Sequence, residues 1–281
     1  MLSASLLHAI WNLSSKRAAD VDSTIFVWTN AVVSLVVFFP LVIYVFVADH
    51  PTITGQDLIF FAGTGCLHTL YFLALQRGYK TSDMSVVYPI ARGSGPVIAS
   101  ALAIALFQAK PAPPAVLGIV LVGVGVFTIG IPRLNSGTLE LSKGLRAGLL
   151  VGMIISIYTI WDSYAIAKLG ISPIVQDWSG SLGRVVLLGG FAIRKRSTTL
   201  QVAKKNMKEI LIVGILSPLA YILVLTAYRY APVTAVAPAR ELSVLFGVVL
   251  GGQILKERDR TKRFAGSVLL VIGVALVAIW N

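Results

Sequence analysis

Five side chains able to carry full charge stand inside otherwise apolar stretches of this 281-residue chain: Arg92, Arg184, Arg240, Asp162 and Glu241. An ionised group at the centre of a membrane helix costs about 2.5–3.5 kcal/mol, so such residues turn toward a cavity or a partner and mark a pathway. A guanidinium is a planar fork that pairs bidentately with carboxylate, phosphate or phosphonate and keeps its charge at any physiological pH. Arg92 and Arg240 can therefore clamp an anionic group. Asp162 or Glu241 can meet an ammonium, which makes a site for a zwitterion, or one of them can be the proton-coupling group that exchanges a proton for substrate. The residues alone leave both open. Arg184 is expected to pair structurally, with Asp162 or Asp177.

Helical spacing gathers further groups. His8, Trp11 and Asn12 stand at i, i+3 and i+4, as do Tyr158, Trp161 and Asp162, so each trio shares one helix face. His68 and Tyr71 share a face, Tyr88 and Arg92 are one turn apart beside Pro89, and Arg240 and Glu241 follow Pro238. With Tyr221 these are the candidate substrate-binding residues, and aromatic faces among them can stack on a substrate or a cation. Each also has a packing alternative: Trp11, Trp161, Tyr71 and Tyr221 as large core residues, Arg240 with Glu241 as an ion pair tying helices together, His68 as a core histidine. No cofactor or metal is expected. Cys66, the single cysteine, excludes disulfide frameworks and thiolate zinc sites and is assigned to packing.

The elements that position these groups follow from composition. Hydrophobic residues make up 56% of the chain and charged ones 13%, against about 45–50% and about 25% in soluble domains. An ordinary soluble enzyme is thereby excluded. The formal charge of +12 would suggest nucleic acid in a soluble chain, but the charges are too sparse for a docking face. Apolar runs recur at 2–15, 24–47, 57–76, 84–107, 114–131, 145–167, 173–193, 209–228, 233–255 and 264–280. About 20 apolar residues span the hydrocarbon core as a helix. The runs predict ten transmembrane helices in an all-α integral membrane protein. Gly118, Gly123, Gly125 and Gly130 predict a close-packing face in the fifth.

The chain also repeats. A shift of 150 residues superposes Ile10-Trp11-Asn12 on Ile160-Trp161-Asp162, Trp28-Thr29 on Trp178-Ser179 and Tyr71 on Tyr221. A shift of 148 aligns Ala91-Arg92 with Ala239-Arg240, Gly118 with Gly266 and Gly125 with Gly273. Two five-helix halves are expected, residues 1–131 and 145–281 joined by a loop at 132–144. Five is odd, so the second half must be inverted relative to the first, as in secondary transporters with a central cavity.

Basic residues set orientation. Eighteen fall on one side: Lys16, Arg17, Arg77, Lys80, Arg133, Lys143, Arg146, those from Arg194 to Lys208, and those from Lys256 to Arg263. Only Lys110, Lys168 and Arg229 fall on the other. Cationic short loops stay cytoplasmic, which places both termini outside.

The segments Leu7-His8-Ala9-Ile10-Trp11-Asn12 with Ser15-Lys16-Arg17, and Val86-Val87-Tyr88-Pro89-Ile90-Ala91-Arg92-Gly93, together with the glycine pattern ending each half, resemble the ten-helix EamA-like permeases of the drug/metabolite transporter superfamily. The resemblance covers essentially the whole chain. It implies a multi-pass protein of the cell membrane, an alternating-access transporter rather than an enzyme, with a cavity lined by helices one, three, four, six, eight and nine. It also implies termini in the cytoplasm, opposite to the charge count. The expected function is export of a small polar metabolite such as an amino acid, driven by protons or the substrate gradient, with Arg92→Ala abolishing binding while leaving the protein folded. Phosphonate, sugar-phosphate or lipid-linked head-group substrates are the alternative. An intramembrane enzyme acting on a lipid head group would need His8, His68, Asp162 and Glu241 to converge. No G-x-x-x-x-G-K-[ST] loop is present, which argues against ATP as the driving force.

Overall fold

A computed structural model describes residues 1–82, 84–130, 138–246 and 260–280. Eleven helices account for most of them: α1 (Leu2–Arg17), α2 (Ser23–Asp49), α3 (Gly55–Thr81), α4 (Met84–Phe107), α5 (Pro113–Gly130), α6 (Thr138–Ala167), α7 (Pro173–Arg194), α8 (Arg196–Lys205), α9 (Met207–Ala227), α10 (Val233–Arg240) and α11 (Arg260–Trp280). Local chemistry sets several starts. The Asp22 carboxylate accepts from the amides of Thr24 and Ile25 at the head of α2, and Thr54 with Asp57 forms a reciprocal capping box at the head of α3. Pro173 opens α7, where its missing amide costs nothing.

Among the described residues five helices are long and apolar enough to cross a bilayer: α2, α3, α4 from Val86, α6 from Ser142, and α9. Two shorter apolar stretches lie within α5 and α11. The outward face of α2 exposes Val36, Phe39, Ile43, Tyr44 and Val47, whereas Arg92, Asp162, Arg184, Arg240 and Glu241 are all buried. That inversion of the soluble pattern suits a hydrocarbon solvent, in which each unsatisfied polar group costs several kcal/mol.

Glycines set the closest approaches. A Cβ on Gly118 would lie 2.6 Å from the Gly273 carbonyl oxygen, and one on Gly125 2.7 Å from that of Gly266, so α5 and α11 run antiparallel nearly backbone to backbone. Gly123 turns instead to Val97 on α4, and Gly130 ends α5. Gly144, Gly148 and Gly152 of α6 receive Val86, Ile90 and Ser94 of α4 in parallel register.

Several boundaries differ from the sequence expectation. The cationic segment after α7 contains α8, a polar helix that no apolar run announces. Helix α6 starts at Thr138, inside the expected loop 132–144, because a charged turn can extend a helix beyond its apolar core. The run 233–255 is interrupted: α10 ends at Arg240, a turn follows at Glu241, and helix resumes at Leu242. Residues 131–137 and 247–259 lie outside the described residues, and with them Arg133, Lys256 and Arg258. Cys66 is exposed rather than packed inside.

Some of the basic helix ends are tied to neighbouring helices. Lys16 Nζ donates to the Tyr79 carbonyl at 3.1 Å, bringing the ends of α1 and α3 together, and Lys195 Nζ lies 3.6 Å from Asp22 across α7 and α2. Lys168 and Arg229 meet elsewhere, at one cavity between the ends of α4, α6 and α9 and the start of α10.

Candidate functional site

Among the described residues, Asp162 is a buried side chain with a full set of polar partners. Its Oδ1 accepts from the Thr64 hydroxyl and from Gln176 Nε2 (2.9 Å), and its Oδ2 from the Tyr221 hydroxyl (2.7 Å), with His68 Nε2 at 2.9 Å from the same oxygen. Four elements converge here: α6 carries the carboxylate, α3 Thr64 and His68, α7 Gln176, and α9 Tyr221. Gln176 also donates to Thr64 at 2.6 Å, which closes the network. A carboxylate enclosed by donors repays its desolvation, and the charged bonds are the strong ones.

Aromatic rings bind this network to a second one. Tyr158 stands 4.7 Å from His68, 5.3 Å from Tyr71 and 5.8 Å from Tyr221, ring centre to ring centre. On its other side the Arg240 guanidinium carbon is 6.0 Å from the Tyr158 ring centre.

The second network holds two guanidiniums on one carboxylate. Arg92 Nε lies 2.9 Å from Glu241 Oε2 and Arg240 Nε 3.7 Å from Glu241 Oε1, both charge contacts made outside hydrogen-bond geometry. Arg92 also donates to the Ser243 hydroxyl and stands 5.8 Å from the Tyr88 ring centre. The break after Arg240 makes this possible. Adjacent residues of a regular helix point some 100° apart, whereas at the turn the Glu241 amide bonds back to the Pro238 carbonyl, and both side chains reach one centre. Arg240 also sits at the C-terminal end of α10, where the helix dipole favours a cation. None of its three nitrogens has a hydrogen-bond partner, though the residue is 1% exposed.

Helix α1 completes the wall. Trp11 Nε1 donates to His8 Nδ1 at 2.9 Å and the indole packs on Phe72, while Asn12 donates to the His8 carbonyl and accepts from the Tyr79 hydroxyl at 3.3 Å. His8 Nε2 is buried and unpartnered, within electrostatic reach of Arg92 and Arg240.

The structure thus gathers His8, Trp11, Asn12, His68, Tyr71, Tyr88, Arg92, Tyr158, Asp162, Tyr221, Arg240 and Glu241 into one polar interior. Trp161 does not join them. Its ring stacks on Phe60 at 4.4 Å and its Nε1 donates to the Phe60 carbonyl at 3.0 Å, because Gly63 leaves room for it on the outer side of α3. Shared i, i+3, i+4 spacing covers an arc wide enough for Asp162 to point inward and Trp161 to the flank. Arg184 makes no ion pair at contact distance with Asp162 or Asp177, though its charge and that of Asp177 act on each other. No carboxylate lies within 4 Å of it among the described residues; it donates to Ser181 at 2.8 Å and its guanidinium carbon lies 4.5 Å from the Phe72 ring centre. Of the four groups of the enzyme reading, His68 pairs with Asp162, while Glu241 lies against the arginines and His8 within their electrostatic reach.

Sequence reasoning missed Thr64, Gln176 and Ser243. Thr64 precedes His68 by one turn and was detectable as its face-mate. Gln176 comes from a helix outside the expected cavity set, and Ser243 is brought in by the chain break.

An all-helical membrane protein with its charged groups turned inward is the class that this fold and interior define. Twenty-nine chains of solved structures match this one. One, described only as a crystal structure of protein, superposes with a TM-score of 0.75 over 99% of this chain and 94% of its own at 13% identity, which speaks to fold alone. No curated protein matches the chain. The EamA-like transporter family profile matches residues 1–131 and 142–279, nearly the whole length. The chain belongs to the EamA-like transporter family, and is a multi-pass membrane transporter of the drug/metabolite type.

Proposed function

We propose that the protein is a secondary transporter for a small organic anion, one bearing a carboxylate or phosphate, and that Arg240 is its primary anchor. One observation carries this reading: two buried guanidiniums share a single carboxylate, and every nitrogen of Arg240 lacks a hydrogen-bond partner. A buried cation that shares its one carboxylate and makes no hydrogen bond is costly, and an anionic substrate supplies further charge and acceptors together. An amino acid needs a free carboxylate for its ammonium as well, whereas Asp162 already accepts from three protein donors and faces His68, and Glu241 lies against two arginines. His8, with its unpartnered Nε2, is a second donor to the anion, and Tyr158 lies along its remainder. The His68–Asp162 pair, faced by Tyr158 and Tyr221, is the site of proton coupling. Glu241 is held as counter-ion.

The transport scaffold is ten membrane-spanning helices in two inverted halves, 1–131 and 145–281, with α8 lying between spans. Reciprocal contacts support the inversion. The Trp28 indole donates to the Val185 carbonyl and that of Trp178 to the Leu35 carbonyl, and Gly118 meets Gly273 where Gly125 meets Gly266. In each case exchanging the halves turns one contact into the other. Such halves can rock to expose Arg240 to either side in turn, the basic loops facing the cytoplasm of the cell membrane.

Counterflow into proteoliposomes tests the reading, with carboxylates, phosphates, sugar phosphates and amino acids as the panel and with or without a pH gradient. Flux of an organic anion that is lost in Arg240→Gln is expected. No flux across the panel, or flux unaffected by Arg240→Gln, would overturn it.

A further inference from the structure

The two ends of the interior are closed unequally. At the basic end, Ser15 donates to Gln76 at 3.1 Å, Gln76 donates back to the carbonyls of Ser15 and Ala18 at 3.4 Å, and Tyr79 donates to Asn12. These bonds latch α1 to α3. Under the shift of 150 residues, Asn12, Ala18, Gln76 and Tyr79 correspond to Asp162, Lys168, Thr226 and Arg229. The corresponding ends of α6 and α9 make no such latch among the described residues. They border a cavity of about 400 Å³ instead, with Lys168, Arg229, Tyr164, Tyr228 and Val233 in its wall.

The chemistry of that wall is one-signed. Among the described residues, Lys168 and Arg229 are in the wall and no carboxylate is. Two residues of the wall relate it to Arg240. Val233 in the wall and Arg240 stand seven residues apart on one face of α10, about 10 Å along the axis. Tyr228, also in the wall, is buried with Thr159 beside its hydroxyl, and it lies within electrostatic reach of Arg240.

We infer that this cavity is an anion-selecting antechamber to Arg240, with Lys168 and Arg229 as its selecting cations and Tyr228 as the side chain between the two sites. Carboxylate- and phosphate-bearing solutes of metabolite size fit its volume and charge. A cationic cleft with low-dielectric walls raises the local concentration of anions, and the ordering of Lys168 and Arg229 above Arg240 passes the solute down a line of guanidinium and ammonium groups. The inference rests on the reading of Arg240 as an anion anchor, but its test needs no transport.

In a Cys66→Ser background, Val233→Cys places a thiol on the inner wall and Ala109→Cys one at the rim. Each variant, in proteoliposomes, is treated with an anionic and a cationic methanethiosulfonate of similar size, and each rate is divided by that reagent's rate with free mercaptoethanol. The anionic reagent is expected to lead by about tenfold or more at low salt. The lead should shrink at high salt and fall to about unity after Lys168→Gln with Arg229→Gln. Equal normalised rates, a lead that survives removal of both cations, or no labelling at either position would overturn the inference. The rim variant keeps the test decisive where Val233→Cys fails to fold. Selective labelling without anion flux would instead leave the antechamber standing and remove the transport reading.

Discussion

Trp28 and Trp178 hold each other's helices: the Trp28 indole donates to the Val185 carbonyl of α7 at 3.1 Å, and the Trp178 indole donates to the Leu35 carbonyl of α2 at 2.9 Å. The donors are 150 residues apart and so are the acceptors, so the two bonds exchange under one shift of the sequence. Each bond joins the halves, and neither half could make its own alone.

Arg92 and Arg240 should separate on mutation. Arg92 is the nearer partner of Glu241, so Arg92→Ala leaves a buried carboxylate facing only a guanidinium at 3.7 Å, and stability should fall by about 3–5 kcal/mol. Arg240→Gln keeps the Arg92–Glu241 pair and should leave thermal unfolding in detergent nearly unchanged while abolishing anion binding. Loss of binding without loss of folding is therefore expected of Arg240→Gln rather than of Arg92→Ala. Differential scanning fluorimetry beside an equilibrium binding assay checks both halves of the prediction.

Asp162→Asn replaces one accepting oxygen with an amide that donates, although Thr64, Gln176 and Tyr221 all donate to this position. A loss of at least about 1.5–3 kcal/mol is expected, the worth of a charged hydrogen bond. Tyr221→Phe, which removes one donor and leaves the others, should cost less. Unfolding midpoints of the two variants compared side by side give the answer, and equal midpoints would contradict it.

Gly125→Ala should weaken the α5–α11 contact. Its Cβ would sit 2.7 Å from the Gly266 carbonyl oxygen and from the Leu270 amide nitrogen, backbone atoms that cannot rotate away. Overpacking of this kind costs about 1–3 kcal/mol. Gly190→Ala, with open space around it, is the control and should be silent in the same thermal assay.

Trp161→Phe should leave anion flux intact, whereas Tyr158→Ala should reduce it severely. Trp161 stacks on Phe60 at the flank, while Tyr158 lies between His68 and Arg240. Initial rates in proteoliposomes at matched protein content distinguish them.

Much of the architecture was legible because a bilayer imposes long apolar runs on the sequence. The cores of the spans, the expense of burying Arg92, Arg240, Asp162 and Glu241, and the coincidence of Trp28 with Trp178 all follow from residue type and position. Helix α8 was not legible, since Arg196–Lys205 has no apolar run to announce it, and neither was the break after Arg240, since Pro238 marks a perturbation without saying where the chain turns.

What the sequence by itself determined is that this chain must bury charge, in which stretches, and with what repeat. Pairing was decided by the tertiary structure alone. Spacing along a helix fixes an arc and not a direction, so Asp162 turned to His68 while its neighbour Trp161 turned to Phe60. A turn of backbone let Arg240 and Glu241, adjacent in sequence, face a single centre with Arg92, 149 positions before Glu241. The donors that enclose Asp162 come from α3, α7 and α9, and only packing could bring three helices to one carboxylate.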